Sequence, residues 1–295
     1  MGKTPDFGLP FFYRVILPGT VVTISAFPLL SPFLSNLGIG GKDQTPYLIG
    51  ISVAFGFVLS LFGDPIYQLL EGRFGWPHWL VAWRTKRWTK LVEVKMARQK
   101  ELDQQDPEYK ECWYLLRQFP VDANGDPTAL QPSRIGNVIS AYEQYPKVRY
   151  GMDSVFYWPR LWLLIDKDVR EEIDSPWAAV DSILYAGFGA AVVGVLYAIL
   201  AVSFGLGIAV GLPGFSSVVA VGLLIAGLVL VSIFLLCIQL SVPGLVANGE
   251  NFKSVFDLYR SKLTLSAASD QEKQDWLRLG NQLQYGVDEG GPPEK

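Results

Sequence analysis

One histidine and two cysteines in 295 residues leave little material for most enzyme chemistry. With His78 alone, inside a stretch crowded with tryptophans and cations, a histidine-based metal site or a serine–histidine pair has almost no material. Cys112 and Cys237 fall in a polar and an apolar segment respectively, so no disulfide framework is indicated and both are expected to be free thiols. The chain has no G-x-S-x-G, no Gly-rich phosphate loop with its lysine, and no cysteine pair at metal-ligand spacing. The expectation is a protein that is not an enzyme, with no catalytic residues, no metal and no cofactor.

Charge is the second scarcity. Only 18% of residues are charged, where a soluble domain has about a quarter, and mean hydropathy is +0.24. From Ser182 to Gly249 there is no Asp, Glu, Lys or Arg. At about 20 residues per crossing this run holds two membrane helices and a turn. Val15 to Gly41 and Gln44 to Gly63 are two further charge-free runs. Spans are expected at 14–37, 45–66, 178–209 and 216–243. Met1 to Phe12 lacks the basic region of a secretory signal, and Pro18, Pro28 and Pro32 interrupt the first run, so it reads as a retained span. The expected fold class is mainly α: a four-span transmembrane helical protein with a cytoplasmic α domain, carrying a β hairpin, inserted between spans two and three. The expected division is 1–70 for spans one and two, 71–177 for the cytoplasmic and interfacial domain, 178–247 for spans three and four, 248–285 for C-terminal cytoplasmic helices, and 286–295 for a disordered tail.

What charge there is lies unevenly. Segment 73–100 carries eight Lys/Arg against the single Glu93. Short basic loops stay on the cytoplasmic side, so both termini and the 71–177 insert are expected to be cytoplasmic, in the membrane of a bacterium. Lys3, Arg14, Lys253, Arg260 and Lys262 agree, and the 42–46 loop and the 211–217 turn are then external. Within the basic segment, WPHWLVAWRTKRWTK (76–90) gathers four of the nine tryptophans. Pro77 suits the first turn of a helix, and Trp76, Trp79, Leu80 and Trp83 fall on one stripe. Indoles favour the headgroup layer, and Arg84, Arg87 and Lys90 would attract anionic lipid. Trp76, Trp79, Trp83, Trp88, Arg84 and Arg87 are therefore the expected membrane interface. With lipid-seeking tryptophans as neighbours, the basic residues point to anionic lipid and away from nucleic acid.

In the insert, CWYLLRQF (112–119) reads as a strand that returns through VDANGDPTALQ as a hairpin. Asp122, Asn124 and Asp126 resemble the start of a calcium loop, but Pro127 stands where glycine is needed and Ser133 where the bidentate Glu belongs. Ile135, Val138, Ile139 and Tyr142 give a helix face that Pro146 is expected to close. Arg134, Glu143, Arg149, Asp153 and Arg160 are interleaved with aromatics, and charges beside so much apolar surface are expected to pair as an ion network.

The block PSRIGN (132–137), Tyr145-Pro146, RYGMD (149–153) and WPRLW (158–162) resembles a pattern of uncharacterised multi-pass bacterial membrane proteins, P-[ST]-R-[LI]-G-N … R-Y-G-x-D … W-P-R-L-W. The match covers about a tenth of the chain. It implies an integral bacterial membrane protein and no particular activity; the block reads as a structural lock in preference to a ligand site. Further on, Phe252, Val255, Phe256, Tyr259 and Leu263 form an amphipathic helix face. Ser269 with Glu272 makes a capping box for a helix carrying Trp276, Leu279 and Leu283.

The spans lack the midplane charges of a coupled transporter. Gly187, Gly189, Ala190, Gly194 and Ala198 permit close helix contact. Two functions remain. One is a homo-oligomeric ion channel gated by its cytoplasmic domain, lined by Thr20, Thr23, Ser25 and Ser31 of span one. The other is a membrane anchor or scaffold presenting that domain to a partner protein on the cytoplasmic side.

Overall fold

In the computed structural model, which describes residues 8–122, 124–206, 216–263 and 273–279, nearly every long segment is helical and no strand occurs among the described residues. The helices are α1 (Leu9–Asn36), α2 (Gln44–Leu61), α3 (Gly63–Glu71), α4 (His78–Glu101), α5 (Pro107–Leu116), α6 (Arg134–Tyr150), α7 (Ser154–Leu164), α8 (Lys167–Gly205) and α9 (Ser217–Tyr259). Four segments, within α1, α2, α8 and α9, are long and apolar enough to cross a membrane. Two of these helices outrun the apolar segments that betrayed them. α8 begins at Lys167, well before the expected 178, and α9 continues to Tyr259, past the expected 243. The Phe252–Tyr259 face is thus the end of α9, not a helix of its own. The 211–217 turn falls largely, and the 269–272 capping box and the 286–295 tail wholly, outside the described residues.

The chain divides into two compact units, one of residues 1–67 and 174–244, the other of 68–173 and 245–295. In the first unit the helices meet at glycines. A methyl on Gly19 of α1 would lie 1.8 Å from the Ser52 carbonyl oxygen of α2, and one on Gly56 would lie 1.9 Å from that of Val15. Only hydrogen fits at either position. Gly187 of α8 packs on Cys237, Gly189 on Val22, and Gly194 on the carbonyl of Gly227. α8 is therefore the central helix. Half of its apolar window is buried, against 6% for that of α9, which leaves Leu228, Val229, Leu235, Leu236 and Leu240 exposed. So continuous an apolar face suits lipid as its solvent. At the end of α1, Gln44 is buried and donates from Nε2 to the carbonyls of Ser31 and Ile39, supplying a donor to acceptors that the helix end leaves open.

The second unit is built from caps and aromatics. Ser133 caps α6 by accepting from Gly136 N at 2.8 Å, and Gly151, at φ +75°, ends it in the left-handed conformation. Pro146 does not close α6. It sits buried inside the helix, which runs on to Tyr150. Asp153 then caps α7 through Phe156 N at 3.0 Å. Asn137, fully buried, accepts from Gln131 N and donates to the carbonyls of Gln131 and Ser133, each at 2.8 Å. Trp158 stacks on Phe252 with centroids 4.4 Å apart, and Tyr157 donates to the Trp276 carbonyl at 3.0 Å. The conspicuous block 132–162 thus supplies caps, a loop staple and core rings.

The expected hairpin is corrected. Cys112 to Leu116 belong to α5, capped by Asp106 with Pro107 in its first turn. The apolar positions Cys112, Leu116 and Phe119 recur at helical spacing, and the run lacks the period of two that a half-buried strand needs. What survives of the pairing is one isolated antiparallel bridge between Val121 and Pro127. Between them, Asp122 spends its Oδ1 on the backbone N–H groups of Asn124 and Asp126, at 2.8 and 3.0 Å, which makes this a side-chain-closed turn.

Candidate functional site

The WPHWLVAWRTKRWTK stretch forms the first half of α4, and the helix sorts its tryptophans onto two faces. Trp76, just before the helix, donates from Nε1 to the Leu69 carbonyl at 2.9 Å, and Trp88 donates to that of Pro132 at 3.0 Å. Arg84 joins Trp88, its Nε reaching the same Pro132 carbonyl at 3.2 Å. These three hold the unit together. Trp79 and Trp83 point the other way, 72% and 54% exposed, followed along the same face by exposed Lys86, Arg87 and Lys90. The Arg87 guanidinium lies 5.9 Å from the Trp83 ring centroid, a cation–π distance. Of the six expected interface residues, Trp79, Trp83 and Arg87 form the outward stripe, while Trp76, Arg84 and Trp88 face inward. Lys86 and Lys90 complete the stripe. Its order is two indoles and then three cations within three turns.

In the first unit, three of the four hydroxyls expected to line a pore are engaged by the chain itself. Thr20 donates to the Ile16 carbonyl at 2.8 Å, buried Thr23 to that of Gly19 at 2.9 Å, and Ser31 to Gln44 Oε1 at 3.1 Å. The Ser25 carbonyl accepts from Tyr197 at 2.5 Å. Thr20 and Thr23 do share a concave wall with Thr45 and Ser52, in a groove of about 470 Å³ between α1 and α2.

A charge cluster in the same unit escaped the sequence reading. Arg14, on a π-helical turn of α1 (Phe12–Ile16), donates from Nε to Asp181 at 2.7 Å and forks onto both oxygens of Asp174, at 2.8 and 3.2 Å. Tyr67 donates to the other oxygen of Asp181 at 2.6 Å. The planar guanidinium matches two carboxylates seven residues apart on α8, two turns along one face. The signal was available: Asp181 is the last charge before the 68-residue neutral run, and Arg14 the last before the first such run.

The five charges expected to form an ion network are dispersed. No ion pair among the described residues joins two of them. Arg134 donates to Gln118 at 2.9 and 3.0 Å, Asp153 is the α7 cap, Arg160 lies 3.7 Å over the Phe156 ring, and Arg149 is exposed. Glu143 alone joins a charged cluster, but its partner is Arg73 at 3.2 Å, which also pairs with Glu71 at 2.6 Å. Burial pushes the Glu71 carboxyl up to about 7, against the pull of Arg73 and with a push from Glu143. Glu71 also sits at the C-terminus of α3, where the helix dipole disfavours a carboxylate. Glu143 is raised too, chiefly by burial. A buried and a partly buried carboxyl thus share one half-exposed guanidinium.

No protein-family model matches the chain, and neither curated proteins nor solved structures provide a match.

Proposed function

We propose that the chain is a membrane anchor: its four spans fix it in the cytoplasmic membrane of a bacterium, with both termini and residues 68–173 inside the cell, and its second unit is presented there to a partner protein. The observation that carries this reading is the internal use of polar groups in the spans. Thr20, Thr23, Ser31 and Arg14 each spend hydrogen bonds on their own chain. A coupled transporter or a wet pore instead needs polar groups turned to an ion or to water. Orientation rests on the eight Lys/Arg of 73–100. The outward stripe of α4 supports a second contact with the bilayer, its indoles in the headgroup layer and Lys86, Arg87 and Lys90 against anionic lipid, at about 1 kcal/mol per cation.

Two labelling measurements test this. Cysteine at Ser216 reacts with an impermeant maleimide in intact cells and cysteine at Lys95 does not; the reverse overturns the orientation. In nanodiscs containing brominated anionic lipid, Trp79→Phe with Trp83→Phe removes most of the quenchable fluorescence that α4 contributes. Unchanged quenching removes the bilayer contact of the stripe.

The second reading is a homo-oligomeric ion channel lined by span one, favoured by Thr20 and Thr23, which stand with Thr45 and Ser52 of α2 on the wall of the α1–α2 groove. It requires ion flux through vesicles holding the purified chain, changed in rate by Thr23→Asp. The anchor requires vesicles no leakier than empty ones.

A further inference from the structure

The second unit contains a concavity that anchoring does not use. It measures about 380 Å³ and lies among α4, α5, α6 and the end of α9. Val92, Met96, Leu116, Phe119 and Val148 give it an apolar floor, of which Val92 and Phe119 are buried. Two cations stand in its wall, Arg117 and Lys253. Each is held by an aromatic ring and a shared carboxylate: the Arg117 guanidinium lies 4.4 Å from the Trp113 ring centroid and the Lys253 ammonium 5.6 Å from that of Tyr145, while both pair with Glu250.

This is more than a patch of surface charge. Lys253 is only 18% exposed, and Glu250 spends one oxygen on each cation, so both heads are fixed in place before any ligand arrives. A guanidinium offers five N–H donors and an ammonium three, so most donors remain open after the pairing. Two cations against one carboxylate leave a net charge of one positive. Ligand pockets that combine an apolar floor with a few fixed polar groups take their orientation from those groups. At about 30 Å³ per heavy atom, the volume a water molecule takes in the liquid, the space accommodates about a dozen non-hydrogen atoms.

We propose that this groove binds a medium-chain alkyl carboxylate, with its chain on the Val92–Phe119 floor and its carboxylate on Arg117 and Lys253. Ten carbons and two oxygens meet the volume, and one negative charge meets the net charge of the wall. The proposal goes beyond the anchor reading and does not depend on it.

The test uses the full chain in nanodiscs of zwitterionic lipid, with equilibrium dialysis of labelled decanoate at pH 8 and empty nanodiscs subtracted. One decanoate per chain is expected to bind saturably. Arg117→Gln with Lys253→Met, both on partly exposed side chains, is expected to weaken decanoate roughly tenfold while changing 1-decanol by less than about threefold. Val148→Trp, which fills the floor, is expected to abolish both, and Met96→Trp serves if that variant does not fold. Uptake equal to empty nanodiscs overturns the proposal. So does saturable uptake that neither the charge variant nor a folded filling variant alters, or decyltrimethylammonium binding as tightly as decanoate.

Discussion

The two units solve the same packing problem with different residues. In the first, helices approach through Gly19, Gly56, Gly187, Gly189 and Gly194, and the main polar pins are Arg14 on two aspartates and Gln44 on the end of α1. In the second, the contacts are aromatic and the ends of helices are capped: Trp158, Phe252, Tyr157 and Trp276 fill the core, while Ser133, Asn137, Gly151 and Asp153 join the elements. Lipid offers helices no reward for hiding apolar surface from it, so close backbone approach and buried polar contacts hold them together. Where water is the solvent, burying a large ring is itself the driving force. The same chain therefore spends most of its glycines on one unit and most of its tryptophans on the other.

Substitutions that exchange the two devices break this comparison most severely. Gly19→Val sets a side chain against backbone that cannot move aside, and the α1–α2 contact is expected to open. Overpacking typically costs about 1–3 kcal/mol, and this site lies at or above the top of that range, read as the largest fall in the thermal midpoint in detergent. Arg14→Gln leaves Asp174 and Asp181 facing each other without their cation. A loss of about 3 kcal/mol is expected, partly restored by adding Asp181→Asn. Equal midpoints for wild type and Arg14→Gln would show that the cluster pins nothing.

In the second unit the sharpest probe is pH. Glu71 has a folded pKa raised to about 7, so the folded state holds its proton more tightly than the unfolded chain does. The stability this gives is fully present below the unfolded value near 4.5 and is lost as pH rises through about 7. Glu71→Gln stays neutral throughout. It is expected to match wild type at pH 4 and to exceed it by about 2–3 kcal/mol at pH 8. A variant less stable than wild type at pH 8 would mean that the Arg73 pairing outweighs burial. The smallest effect belongs to the outward stripe: Trp79→Ser with Trp83→Ser is expected to change stability by about 0.5 kcal/mol or less, because exposed side chains support little packing. A large loss would place those indoles in the core.

The difference between the units also explains what could be read in advance. The four apolar helices were legible because a membrane span must exclude charge, and Ser182 to Gly249 does so throughout. Their ends were not, since α8 and α9 continue as ordinary helices beyond the apolar stretch, where absence of charge no longer marks them. Arg14 and Asp181 stood out as the last charges before neutral runs, but their pairing was hidden because the partners of Arg14 lie 160 and 167 residues away, and sequence spacing carries no such distance. α5 was misread because WYLL is apolar without a clear period, and the Asp106-Pro107 start signal decides it. The tryptophans of 76–90 were recognisable as a group. Which of them turn inward depends on the carbonyls of Leu69 and Pro132, which only the fold brings near.

The central claim is that the packing glycines of α1, α2 and α8 and the polar groups of Arg14, Thr20, Thr23 and Ser31 are engaged within one chain, so that the four helices are complete without a second copy. Native mass spectrometry of the purified protein released from nanodiscs tests it most directly. The account predicts one chain per particle at 32.7 kDa plus bound lipid. A closed ring of three or more chains that survives dilution would contradict it and return the spans to the channel reading.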